Sequence, residues 1–140
     1  MPAKLDPAAK KLKIILDSNA LFVPIQFKID IFEELKKVVN MNYEPILLSP
    51  IRRELEKLAK EATPKLRRNA SYALKLAEKC KLVDIAGESV FPDDIIVDVA
   101  QQWRCPVFTN DRALRKRLRN INVPVIYVRQ KSRLEIDGRI

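Results

Sequence analysis

Short apolar runs alternate with amphipathic segments along the whole chain, and this alternation limits the fold more than any other feature. The runs are LKIIL (12–16), PILL (45–48), LVDI (82–85), PVF (106–108) and VPVIYV (123–128). Each is too short for a helix and apolar enough to be covered on both faces, as strands of a parallel sheet are. Helical spacing fills the intervals between them. It places a helix over 29–39 through Phe32, Leu35 and Val39, and others over 65–80, 93–103 and 111–120. Ser49 reads as the cap of a further helix that starts at Pro50 and ends near 62, before Pro64 breaks the chain. The pattern predicts an α/β fold with a central, mostly parallel sheet. A chain of 140 residues makes one domain. Residues 1–10 are expected to be a flexible N-terminal segment, charged and without the apolar stretch of a signal peptide. No apolar run is long enough to span a bilayer. A cytoplasmic protein with no membrane partner is therefore expected.

Composition removes most catalytic classes. There is no histidine, so neither a serine or cysteine nucleophile paired with histidine nor a histidine-ligated zinc can be built. Two glycines cannot make a glycine-rich phosphate loop. Cys80 and Cys105 lack metal-ligand spacing and read as small apolar residues beside strands. The net charge of +9 is concentrated toward the end. From Asp111 onward nine lysines and arginines stand against three acids. Such a block suits a polyanion, and equally a solvated, heat-resistant surface.

Against this basic background the positions of the acids stand out. Asp17 directly follows the first apolar run, Glu54 lies one turn into the helix after PILL, Asp93 and Asp94 follow Pro92, and Asp111 follows PVFTN. All of these are at the carboxyl ends of predicted strands, where ligands bind in open parallel sheets. Glu54 shares a stripe with Ile51 and Leu58, Asp93 with Ile96 and Ala100, and Asp111 with Leu114 and Leu118, so all three are expected to face the sheet. Asp94 aligns instead with Val97, Asp98 and Gln101. Taken singly, an acid in the first turn of a helix is ordinarily a cap. Jointly, inward carboxylates repel one another unless a hard divalent cation, Mg²⁺ or Mn²⁺, neutralises them. Such an ion can activate a water against a phosphodiester.

The stretches IILDSNAL, SPIRRELEKL, PDDIIVDVAQQW and FTNDRALRKRL resemble, in order, the motifs of the PIN-domain nucleases. The resemblance implies a three-layer α/β/α fold and cleavage of RNA with Mg²⁺ or Mn²⁺. It also implies catalytic and metal-binding roles for Asp17, Glu54, Asp93 and Asp111. Asp94 is an alternative to Asp93 as metal ligand, and Thr109 and Asn110 stand behind the acids as support. NDRALRKRLRNINVPVIYVRQKSRLEI is similar to the branch of the family that processes ribosomal RNA precursors, in its archaeal form. Toxins of toxin–antitoxin pairs share the acids, and a non-catalytic RNA-binding subunit is a third reading. The expected partner is RNA, with a homodimer, ribosome-assembly proteins or an antitoxin also compatible. Arg112, Arg115, Lys116 and Arg119, beside the apolar stripe of the last helix, and Arg52 are the expected RNA contacts. Trp103, on the stripe of Ile96 and Val99, reads as core rather than as a base-stacking platform. Arg67 and Arg68 read as a solvated face or a second phosphate contact.

Overall fold

The computed structural model describes residues 11–86 and 91–140. The expected flexible segment over 1–10 lies outside them. Strands β1 (Leu12–Leu16), β2 (Tyr43–Leu48), β3 (Lys81–Val83), β4 (Val107–Phe108), β5 (Val125–Arg129) and β6 (Arg133–Asp137) form one sheet. Their order is β3-β2-β1-β4-β5-β6. All pairings are parallel except that of β6, which runs antiparallel to β5. Helices α1 (Val23–Phe27), α2 (Ile31–Val39), α3 (Ser49–Glu61) and α4 (Pro64–Ala77) connect β1 to β2 to β3. Helices α5 (Pro92–Trp103) and α6 (Arg112–Asn120) enter and leave β4. Parallel crossovers are right-handed, so these two groups cover opposite faces and give the α/β/α layering. The expected three-layer fold with a mostly parallel sheet is the fold observed.

The apolar runs supply the centre of the core. Ile14, Ile15, Leu16, Ile46, Leu48, Val107, Phe108, Val125 and Ile126 are completely buried. The helices close over them with Leu35, Ile51, Leu55, Ile96, Ala100, Leu114 and Leu118, also completely buried. No helix among the described residues is long and apolar enough to cross a membrane. Cys105 is buried and Cys80 half-buried, and neither forms a disulfide. Burial pushes their thiols up to about 11 and about 12, so both are inert near neutral pH. Trp103 is half-buried against the core, with the Lys13 ammonium 4.7 Å from its ring centroid.

The structure departs from the sequence reading at several places, each with a local cause. Residues 18–27 carry no long period, yet they form a 3-10 turn (Ser18–Phe22) and then α1. Pro24 sits in the first turn of α1, where its missing N–H is harmless. Strand β2 begins at Tyr43 rather than 45, straight through Pro45. That proline lies opposite Ile14 of β1, and the ladder to β3 begins only at Ile46, so no second neighbour needs its N–H. Ser49 is not a cap. It is the first residue of α3, and its buried Oγ accepts the Ile85 N–H at 2.9 Å. This diverts the chain from the ladder and ends β3 at Val83, short of the expected 85.

The larger departure is β6, a region to which the sequence pattern assigns no element. It is fastened to α6 from the side. Asp137 accepts from Arg115 Nε at 2.9 Å and pairs with Arg119 Nε at 3.2 Å, while the Arg115 guanidinium stacks 3.7 Å from the Tyr127 ring centroid. These groups are about one-third exposed, so the ion pairs contribute on the order of 1 kcal/mol. Gly138 follows with φ +105°, and a Cβ there would stand 2.5 Å from Arg119 Nη1 and 3.2 Å from Pro124 Cα. Arg119 cannot easily yield, since Asp137 and the Val123 carbonyl both hold it. Gly138→Ala should therefore lower unfolding free energy by about 1–2 kcal/mol. Denaturant titration of the two proteins checks this; an unchanged midpoint would mean that the tail yields freely.

Candidate active site

The strand order reverses at β1. The chain steps from β1 outward through β2 and β3, then returns to β4 on the other side. In open α/β sheets a crevice opens at such a point, beyond the carboxyl ends of the strands. Asp17 is the first residue past β1, and Thr109 the first past β4.

These two residues are joined. Thr109 Oγ1 donates to Asp17 Oδ2 at 2.7 Å, and Asn19 Nδ2 donates to the same oxygen at 3.0 Å. Asp17 Oδ1 accepts the Ser18 N–H at 2.8 Å. Asn19 Oδ1 accepts the Asn110 N–H at 3.0 Å, and Asn110 Oδ1 accepts the Val128 N–H at 2.9 Å. The network thus runs from β1 across β4 to β5. Asp17 is only 4% exposed and Thr109 is fully buried. Both residues expected as support are therefore in place. Asn19, the hub, was not singled out from the sequence. Its signal was its place two residues after Asp17 within IILDSNAL.

Glu54 and Asp93 act electrostatically on Asp17, and Asp111 acts on Asp93. Glu54 projects from α3, Asp93 from the first turn of α5, and Asp111 caps α6. Asp111 Oδ1 accepts from the Ala113 and Leu114 N–H groups at 2.8 and 3.1 Å, so the capping reading holds for this residue. Burial pushes Asp17 up to about 6; the Thr109 and Ser18 bonds oppose this, and the charges of Asp93 and Glu54 add to it. Asp93 is raised first by burial, then by Asp111 and Glu54. The four carboxylates therefore form one electrostatically connected set. Among the described residues no group of three or more Asp, Glu or Cys side chains is arranged so that it could hold a metal ion.

Asp94 points elsewhere. Its Oδ1 lies 2.9 Å from Arg117 Nη2. The sequence reading turned it toward Asp98, but the cation of α6 claims it. Of the expected RNA contacts, Arg115 and Arg119 are engaged by Asp137. Arg112 and Lys116 are exposed and have no ion pair among the described residues. Arg52 lies 3.9 Å from Glu56 and borders a groove with Leu74 and Glu78, away from the acids.

A family model described as a PIN-like domain matches residues 14–131. The chain belongs to the PIN-like domain family. This PIN-domain chain is 35% identical over 131 residues to Ribonuclease VapC4 of Methanocaldococcus jannaschii, covering 91% of itself and 98% of that protein. It is 30% identical over 120 residues to the rRNA-processing protein FCF1 of Saccharomyces cerevisiae, covering 83% of itself and 59% of that protein. Its fold superposes on the PIN domain endonuclease Utp24 with a TM-score of 0.79 and 27% identity, covering 98% and 97% of the two chains. The PIN-domain chain is thus a member of a nuclease family whose relatives bear both ribonuclease and rRNA-processing names.

The pKa of Asp17 has a consequence for stability. The folded chain holds this proton up to about pH 6, the unfolded chain only to about 3.8. Folding therefore takes up a proton between these values, and the stability so gained is present below about pH 4 and lost as pH rises through 6. Asp17→Asn removes the titration. The wild type should gain on this variant by about 2–3 kcal/mol as pH falls from 7 to 4. Parallel denaturant curves at four pH values measure the difference, and a flat difference would contradict it.

Proposed function

We propose that this chain is a metal-dependent endoribonuclease that processes ribosomal RNA precursors, with Asp17, Glu54, Asp93 and Asp111 as its catalytic acids. The observation that carries the reading is the set of four carboxylates, linked electrostatically through Asp93, at the topological reversal of the sheet. The donors are all oxygen and all anionic, which suits Mg²⁺ or Mn²⁺. When bound, such an ion lowers the pKa of water and neutralises charge on the phosphate.

The chain's own residues do the positioning. Thr109, Asn19 and the Ser18 N–H fix both oxygens of Asp17, so its orientation is set before any ligand arrives. Asp111 is fixed through Oδ1 by the start of α6. A carboxylate of the set takes up the proton of the attacking water. The water oxygen bonds to phosphorus, the bridging P–O bond breaks, and the departing oxygen takes up a proton from solvent. Arg112 and Lys116 hold flanking phosphates.

The 30% identity to the rRNA-processing protein FCF1 supports the ribosomal substrate. The 35% identity to VapC4 favours a second reading, a toxin ribonuclease held by an antitoxin. Defined precursor rRNA and a messenger pool, offered in the same assay, separate the two. Selective cleavage of the precursor supports the first reading, and broad loss of messengers the second.

Asparagine variants test the acids, since asparagine keeps the cap at 111 and most hydrogen bonds at 17. Asp17→Asn and Asp93→Asn should each reduce cleavage at least about 100-fold. Asp94→Asn, which only frees Arg117, should reduce it about tenfold or less. Saturable Mn²⁺ binding, read as a rise in Tm, should disappear with Asp17→Asn. The opposite ranking of Asp93 and Asp94 in timed cleavage assays would reassign the third ligand.

Arg112→Gln with Lys116→Gln should weaken RNA binding for all sequences alike. The double variant should also flatten the plot of log affinity against log salt by about 1.4, if each cation holds one single-strand phosphate. Anisotropy titrations at several salt concentrations supply the slope, and an unchanged slope would move the RNA path off α6. Arg115 is left intact because its stack on Tyr127 is structural.

A further inference from the structure

Beside the acids, between α1, α6 and the β5–β6 turn, lies a pocket of about 460 Å³. It opens directly off the site, because Thr109 and Asn110 form part of its wall. Two aromatic rings, Phe27 and Tyr127, border it. So do three cations, Arg112, Arg115 and Lys131, and among the described residues that line it none is acidic. Gln26 and Gln130 add amide donors and acceptors. Its size lies in the range of small-molecule sites. Rings for stacking, amides for base edges and cations for phosphate together describe a nucleotide.

The turn that closes this pocket is independently unusual. Gln130 and Lys131 both have positive φ, 54° and 57°, and Ser132 N–H bonds back to the Arg129 carbonyl at 3.2 Å. Two successive left-handed residues make a hairpin turn that favours Asn-Gly. Long side chains there are strained, and such strain gathers at ligand clamps. The two residues that bear this strain are among those that line the pocket.

We infer that this pocket seats one nucleotide of single-stranded RNA next to the cleaved bond, its base against Phe27 and Tyr127 and its phosphate on Arg112 and Lys131. The inference rests on the nuclease reading above and adds to it a place for base selection. Arg115, held flat on Tyr127 by Asp137, stiffens the aromatic wall rather than gripping phosphate.

The test uses a fluorescein-labelled eight-nucleotide single-stranded RNA with EDTA present, so that binding is read without cleavage. Gln130→Asn with Lys131→Gly installs the favoured turn and should raise Tm by a few degrees. The same variant should bind the RNA about five- to tenfold more weakly. Lys60→Gln removes an equal charge elsewhere and should change affinity less than twofold. In the wild type, an abasic nucleotide at one position of the strand should weaken binding about fivefold or more. Phe27→Leu should abolish that sensitivity. A turn variant that binds like Lys60→Gln, or an abasic scan that is flat in the wild type, overturns the pocket assignment. The nuclease reading would then still stand on Asp17-dependent cleavage. Wild-type protein that neither binds nor cleaves RNA overturns both.

Discussion

The hydrogen bond from Thr109 to Asp17 joins the two strands between which the sheet reverses. It places a carboxylate in the crevice and keeps it there, although burial and two neighbouring acids favour its neutral form. Asn19 bonds to the same carboxylate and to the backbone of the β4–α6 loop, so the loop that carries Asp111 is set by the group that anchors Asp17. The geometry of the other acids follows from this frame. Asp111 starts α6 immediately beyond it, and α3 and α5 bring Glu54 and Asp93 to the same edge.

Electrostatics reinforces a separation that helical phase already makes. Asp93 and Asp94 are adjacent, and either could be offered as a ligand. The structure turns Asp94 onto Arg117 and leaves Asp93 facing Asp111 and Glu54. The basic residues of α6 divide similarly. Arg115 and Arg119 are spent on the last strand, whereas Arg112 and Lys116 face solvent near the acids. One amphipathic helix therefore serves the core, the tail and the open crevice with three different stripes.

Much of the fold was legible because buried parallel strands leave an unmistakable record. The runs around Ile14, Ile46, Val107 and Val125 are apolar since both faces of each are covered. Asp17 and Asp111 stood out because each closely follows such a run, and Glu54 and Asp93 because each lies early in a helix that follows one. Other features leave no period to read. The turn around Asn19 spans five residues, and β6 shows alternation only over Leu134 and Ile136. The Arg115–Asp137 pair joins residues 22 positions apart, and spacing gives no hint of such a partnership. Ser49 looked like a cap because its sequence context fits one, and only the nearness of Ile85 shows its actual use.

The separation of Asp17 and Thr109, 92 residues along the chain, bears on when the protein can act. A parallel sheet whose middle strand awaits a distant neighbour forms its central contacts late, after long loops have closed. During synthesis, β1, β2 and β3 can assemble while β4 is still being made. At that stage Asp17 lacks its threonine partner and Asp111 does not yet exist. The proposed acids are thus divided along the chain, the last of them being made only after β4. Until β4 and the loop after it are out, a nascent polypeptide of this sequence lacks the network that fixes Asp17.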